Sequence, residues 1–144
     1  MSKLVHLPER AGMLMPGQFE VTEFVFDVFK KNPSWEGRTD VVVSLLRAAV
    51  FPQSSDPDVS RYTPFIESTT QLHGLCKVDG AYDGSSVTFP SVGGKERSMI
   101  VGVLIHSNGL PIAHIGHAAG LPLWTNGGDI IIAWDRGRNK IFRI

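Results

Sequence analysis

Three closely spaced histidines, His106, His114 and His117, are the side chains of this sequence best suited to ligate a metal or move a proton. A zinc site gathers three or four N, S or O donors around one point. On an extended strand, however, His114 and His117 project to opposite faces, and no Asp or Glu stands between Arg97 and Gly128 to complete a shell. They are therefore expected to be strand histidines with hydrogen-bonded ring nitrogens. Cys76 follows His73 by three positions, again on opposite faces, so a thiolate–imidazole pair would need a histidine from elsewhere. A small buried thiol is the expected state.

The glycine and carboxylate patterns are equally unspecific. Gly93-Gly94-Lys95 lacks the flanking Gly and Ser/Thr of a phosphate loop, and Gly127-Gly128 opens a strand pattern rather than a helix. Asp79 and Asp83 flank Gly80 without the later Glu of a calcium loop. No catalytic set, no metal site and no cofactor is expected. The one local charge imbalance is the basic end, Arg136, Arg138, Lys140 and Arg143 against Asp135 alone. It fits a solvated strand edge, an acidic patch on a protein partner, or phosphates.

The elements that must carry these groups are bounded by composition. The 144 residues are 42% hydrophobic and 19% charged, too apolar for a disordered chain, and no apolar run approaches the ~20 residues of a membrane helix. Fourteen Lys and Arg balance 14 Asp and Glu, which argues against a general nucleic-acid or anionic-membrane binder. A single Cys precludes an intrachain disulfide, and the start lacks the long apolar stretch of a signal peptide, so synthesis in the cytoplasm is expected.

Residues 1–18, with Pro8, Gly12, Pro16 and Gly17 among Leu4, Val5, Leu7, Met13, Leu14 and Met15, read as an extended apolar arm that docks on its own domain or on a neighbour. From Glu20 to Lys31 the apolar residues Val21, Phe24, Val25, Val28 and Phe29 follow a helical period, with acids early and bases late, so an amphipathic helix is expected. The β-branched and aromatic content there also suits a strand. Thr39 to Phe51 is nearly continuously apolar, as in a central strand buried on both faces or a buried helix. Pro52 to Ser60 reads as a mobile polar loop. Short strands are then expected at Leu72–Val78, Ser86–Phe89, Ser98–His106, Pro111–Ala118 and Asp129–Trp134, each bounded by turn residues. The last pairs with Lys140–Ile144 in a terminal hairpin turned by Asp135 and Gly137. The expected fold is mainly β (α+β): a single antiparallel β-sandwich or barrel-like domain over residues 19–144, with one or two helices and the arm.

The second half also carries a resemblance. Val87-Thr88-Phe89, Gly120-Leu121-Pro122, Asn126-Gly127-Gly128-Asp129-Ile130, Trp134-Asp135 and Asn139-Lys140-Ile141-Phe142, with Gly137 between the last two, resemble a group of small structural proteins of tailed bacteriophages. Trp35 and the strand after it fit the same plan. The likeness covers roughly residues 20 to 144 and is tight over the last 25. Arg136 and Arg138 depart from the group, which often has Asn and a small residue there, and the arm is an addition.

The resemblance implies a non-enzymatic virion protein, present in many copies or as a homo-oligomer, with no specific nucleic acid and no membrane as partner. Its partners would be the major capsid protein, for a cement or decoration protein, or neck and tail proteins, for a connector. The arm residues Leu4, Val5, Leu7, Met13, Leu14 and Met15 and the basic residues Arg136, Arg138 and Arg143 are the expected interface. A small ligand-binding or metal-dependent β domain using His106, His114 or Cys76 is the remote alternative.

Overall fold

The computed structural model describes residues 3–5, 23–26, 35–50, 52–53, 55–93, 96–116, 121–134 and 141–143. Thirteen strands are described: β1 (Lys3–Val5), β2 (Glu23–Val25), β3 (Val41–Leu46), β4 (Ile66–Gln71), β5 (Cys76–Val78), β6 (Ala81–Asp83), β7 (Val87–Phe89), β8 (Met99–Ile100), β9 (Gly102–Ser107), β10 (Leu110–Ile115), β11 (Leu123–Trp124), β12 (Ile130–Ile132) and β13 (Phe142–Arg143). The helical content among the described residues is one 3-10 turn, Thr63–Phe65. The protein is mainly β, with predominantly antiparallel pairing.

The largest sheet has the order β2-β10-β9-β3-β4. Strand β3 is interior, flanked by β9 and β4, which is why Val41-Val42-Val43 and Leu45-Leu46 read as a nearly continuous apolar run. Strands β9 and β10 are joined by Asn108-Gly109, and β5 and β6 by Asp79-Gly80. All four of these turn residues have positive φ, the conformation that two-residue hairpins of this twist require and that Asn-Gly and Asp-Gly tolerate.

Three smaller sheets, β1-β12-β7, β11-β8 and β13-β6-β5, complete the fold. All contribute to one apolar core with the large sheet: Val43, Leu45, Val103, Ile105 and Ile115 meet Phe89, Ile130, Ile132, Ile100 and Tyr82 there, with Trp35 and Trp134. A second cluster, Phe26, Leu46, Tyr62 and Leu104 with Val50, Val59 and Ile66, lies apart from it.

Three expectations need correction. Glu23–Val25, inside the expected helix, is a strand on the edge of β10, in register Ala113↔Val25 to Ile115↔Glu23, and Phe26 N–H extends the contact by donating to Ile112 O at 2.9 Å. Pairing with an otherwise open strand edge overrides the helical period, as tertiary context commonly does. Among the described residues the terminal hairpin is not formed either. Both edges of β12 are taken, by β1 and β7, so β13 pairs with β6 instead and Ile141 N–H donates to Tyr82 O. The strand expected at Leu72–Val78 is two strands: β4 ends at Gln71, and Leu72–Leu75 leads into β5.

Candidate functional site

The period-2 alternation of the large sheet sorts its residues. Val43, Leu45, Val103, Ile105, Ala113 and Ile115 face the large core, and Ser44, Leu46, Leu104, His106, His114 and Thr69 face the other way. The second face carries Ser44, Thr69, His106 and His114. Ser44 Oγ lies 2.7 Å from Thr69 Oγ1 and 2.7 Å from His106 Nε2, a hydroxyl relay across three neighbouring strands. Burial pushes the His106 imidazolium down, so the ring is neutral at pH 7 and serves the relay as a hydrogen-bond partner. A serine beside a neutral histidine has the form of a nucleophile and its base. Ser44 itself is 0% exposed, and its hydroxyl ties β3 to β4 and β9.

Further along this face His114 packs on Tyr62, ring centroids 6.1 Å apart, and Phe26 meets Tyr62 edge-on at 6.2 Å. Tyr62 is held from behind by the loop that precedes it. Its hydroxyl donates to Asp56 Oδ2 at 2.9 Å, and Arg61 Nη1 donates to the same carboxylate at 2.8 and 3.0 Å. Gln53 N–H adds a fourth bond. Burial pushes the Asp56 carboxyl up, but the bonds from Tyr62, Gln53 and Arg61 outweigh it and hold it below its ordinary value. Burial and the Asp56 carboxylate together raise the Tyr62 hydroxyl. The polar stretch Pro52–Ser60 is thus anchored at Asp56 over the sheet.

His114 itself is 7% exposed, and its Nε2 is buried without a hydrogen-bond partner among the described residues. Burial lowers its pKa to about 4. A Cβ on Gly116 would crowd this ring, standing 3.1 Å from His114 Cε1. At one end of the sheet Asp40 collects Arg38 through Nε and Nη2, the Ser107 hydroxyl at 2.9 Å and the Asn108 amide at 2.8 Å. The Arg38 hydrogen bonds hold its carboxyl well below the usual range, and Arg38 also stacks 4.3 Å over Trp35.

The residues singled out from the sequence disperse. Among the described residues no group of three His, Cys, Asp or Glu could hold a metal. His106 and His114 share a face, His117 lies outside the described residues, and Cys76 is half-buried on β5. The Asn126–Asp129 segment is a clamp. Asn126 Oδ1 accepts from Gly128 N–H, Gly127 N–H donates to Val92 O, Val92 N–H to Gly128 O, and Asp129 Oδ1 accepts from Ser91 N–H. Trp134 is buried in the large core and donates from Nε1 to Ser85 O at 2.9 Å.

Leu4 and Val5 belong to β1, while Phe142 and Arg143 form β13. Leu7, Met13, Leu14, Met15, Asp135, Arg136, Gly137, Arg138, Lys140 and Asn139 lie outside the described residues. Sequence reasoning missed Ser44, Thr69, Asp56 and Tyr62. Ser44 carried a signal, as the lone polar residue inside the run Val41–Leu46; the others gain their role only from residues distant in sequence. Comparison with models of protein families, with curated proteins and with solved structures finds no match for this chain.

Proposed function

We propose that this protein is a non-enzymatic structural component of a tailed-bacteriophage particle, a cement or decoration protein that binds neighbouring capsid subunits and is made in the host cytoplasm. The observation that carries the assembly reading is the way the start of the chain joins the fold. Lys3–Val5 is an added strand, in parallel register Lys3↔Ile130 to Val5↔Ile132. Strand addition is a general means by which one chain holds another, because backbone pairing supplies the affinity.

Two further features support the reading. In the Ser44–His106 pair, the arrangement nearest to catalytic form, the Ser44 hydroxyl is buried. Equal numbers of acidic and basic residues place no net repulsion between closely packed copies. The assignment to a phage particle rests on the resemblance of Asn126–Ile130, Trp134-Asp135 and Asn139–Phe142. Antibody raised against the purified chain tests it by electron microscopy of the particles. Label over the whole shell is expected; label confined to neck or tail would replace the cement assignment with a connector, and unlabelled particles would overturn both. Deletion of residues 1–18 is expected to leave the domain folded and to abolish its incorporation.

A further inference from the structure

The edge of β12 that receives β1 suits a neighbouring copy as well as its own chain. We propose that in the assembled protein this edge is filled by Lys3–Val5 of a second copy, so that copies are joined by exchanged N-terminal strands. The inference rests on the assembly reading above and specifies its interface.

Three observations carry it. First, β12 is the one described element against which β1 packs to more than a marginal extent; its other edge belongs to β7. The bonding site is therefore complete on β12 alone, and the same three register pairs form whichever copy supplies the strand. Second, a parallel pair has no tight turn to dictate its partner. After Val5 the next described strand begins at Glu23, leaving 17 intervening residues (23 − 5 − 1). At ~3.3 Å per residue these can reach about 56 Å, beyond the roughly 37 Å diameter expected for a compact chain of this length. Third, the chain has no net charge to oppose close approach of copies.

Concentration then selects the donor. A strand tethered to its own domain acts at an effective concentration in the millimolar range, so dilute protein keeps its own strand, and copies crowded to comparable concentration exchange. A shell of many copies provides that crowding.

Two tagged chains on a Cys76→Ser background test this, one carrying Leu4→Cys and the other Ile131→Cys. Leu4 faces Ile131 in register. Neighbouring strands are ~4.8 Å apart, within the span of a disulfide. Oxidation of the mixture near millimolar concentration is expected to give a mixed disulfide about tenfold or more above a control pairing Leu4→Cys with exposed Val78→Cys, and the excess should shrink on dilution. Yield at the control level at every concentration would overturn exchange. So would a double variant, Leu4→Cys with Ile131→Cys in one chain, that forms only internally linked monomer under crowding.

Should Ile131→Cys disturb folding, a chain lacking residues 1–5 leaves β12 unaltered: capture by tagged full-length chain at millimolar concentration supports exchange, and no capture refutes it. Labelled particles with control-level crosslinking would remove strand exchange and keep the particle assignment. Strong crosslinking with unlabelled particles would do the reverse.

Discussion

One face of the large sheet is formed by Val43, Leu45, Val103, Ile105, Ala113 and Ile115 of β3, β9 and β10, the other by Ser44, Leu46, Leu104, His106 and His114 of the same three strands with Thr69 of β4. The first face meets a continuous apolar core contributed by the three smaller sheets. The second meets a small apolar cluster and a loop tied down at Asp56. Apolar packing holds the sheets together but tolerates exchange of shapes of similar volume. The polar face adds a constraint the apolar one lacks. A one-residue slip of β3 would turn Ser44 into the dry core, away from His106 and Thr69, at the cost of an unpaired buried hydroxyl. The apolar face supplies stability, and the polar face supplies register.

The sharpest way to break this division is to truncate neighbours on β9 that point opposite ways. Ile105→Ala is expected to cost about 4 kcal/mol, because its site is walled by several sheets and collapses poorly. Leu104→Ala is expected to cost about 2 kcal/mol, since its cluster is small, Phe26, Leu46 and Tyr62 with three partly buried side chains that can relax around the gap. Denaturant unfolding of both variants measures the difference, and a reversed order would refute the assignment of stability to the first face.

Acid separates the faces next, through His114. Its folded pKa, about 4, lies below the 6.5 of the unfolded chain, so the unfolded state binds the extra proton between these values. Stability is fully present above pH 6.5, falls as pH drops, and has lost about 3 kcal/mol by pH 4. His106 contributes in the same direction. Asp40 and Asp56, whose pKa values are lowered from 3.8, lose their contribution only below that value, outside the window. His114→Phe should therefore flatten most of the slope between pH 6.5 and 4 in urea unfolding. An unchanged slope would show that His114 is not the buried base.

The sequence made one face far more legible than the other. Val41–Leu46 lies in a run legible as a strand buried on both faces or as a buried helix, because apolar residues occupy nearly every position, and the expected strands were bounded by turn residues such as Asn108-Gly109, whose backbone few residue types accept. Pairings between distant strands had no such signature. Glu23–Val25 bears a helical pattern, and its strand state depends on the edge of β10, some ninety residues on. β12 was correctly a strand, but its partners β1 and β7 came from the two places the local hairpin pattern did not suggest. Asp56 and Tyr62 sit in a segment whose composition says only loop, and their burial requires Phe26 and Leu104 from elsewhere. Local chemistry was readable where one residue's conformation decided it, and unreadable where a partner far along the chain did.

Within the polar face, the relay and the loop anchor are expected to differ in kind. Ser44→Ala removes the partner shared by half-buried His106 Nε2 and exposed Thr69 Oγ1, and is expected to cost about 1 kcal/mol of global stability.

Tyr62→Phe is milder. It removes one hydroxyl from Asp56 while Arg61 and Gln53 N–H still satisfy the carboxylate, and it keeps the ring that packs on Phe26 and His114. A global loss of about 1 kcal/mol or less is expected. Its larger signature is local. Without the hydroxyl, the segment around Asp56 is tied to the sheet chiefly through exposed Arg61, so its amides should exchange faster while those of β3 and β9 are unaffected. Hydrogen exchange reads both in one experiment. If β3 and β9 lost protection in step with the loop, the anchor would be part of the register lock, and the two halves of the polar face would be one cooperative unit.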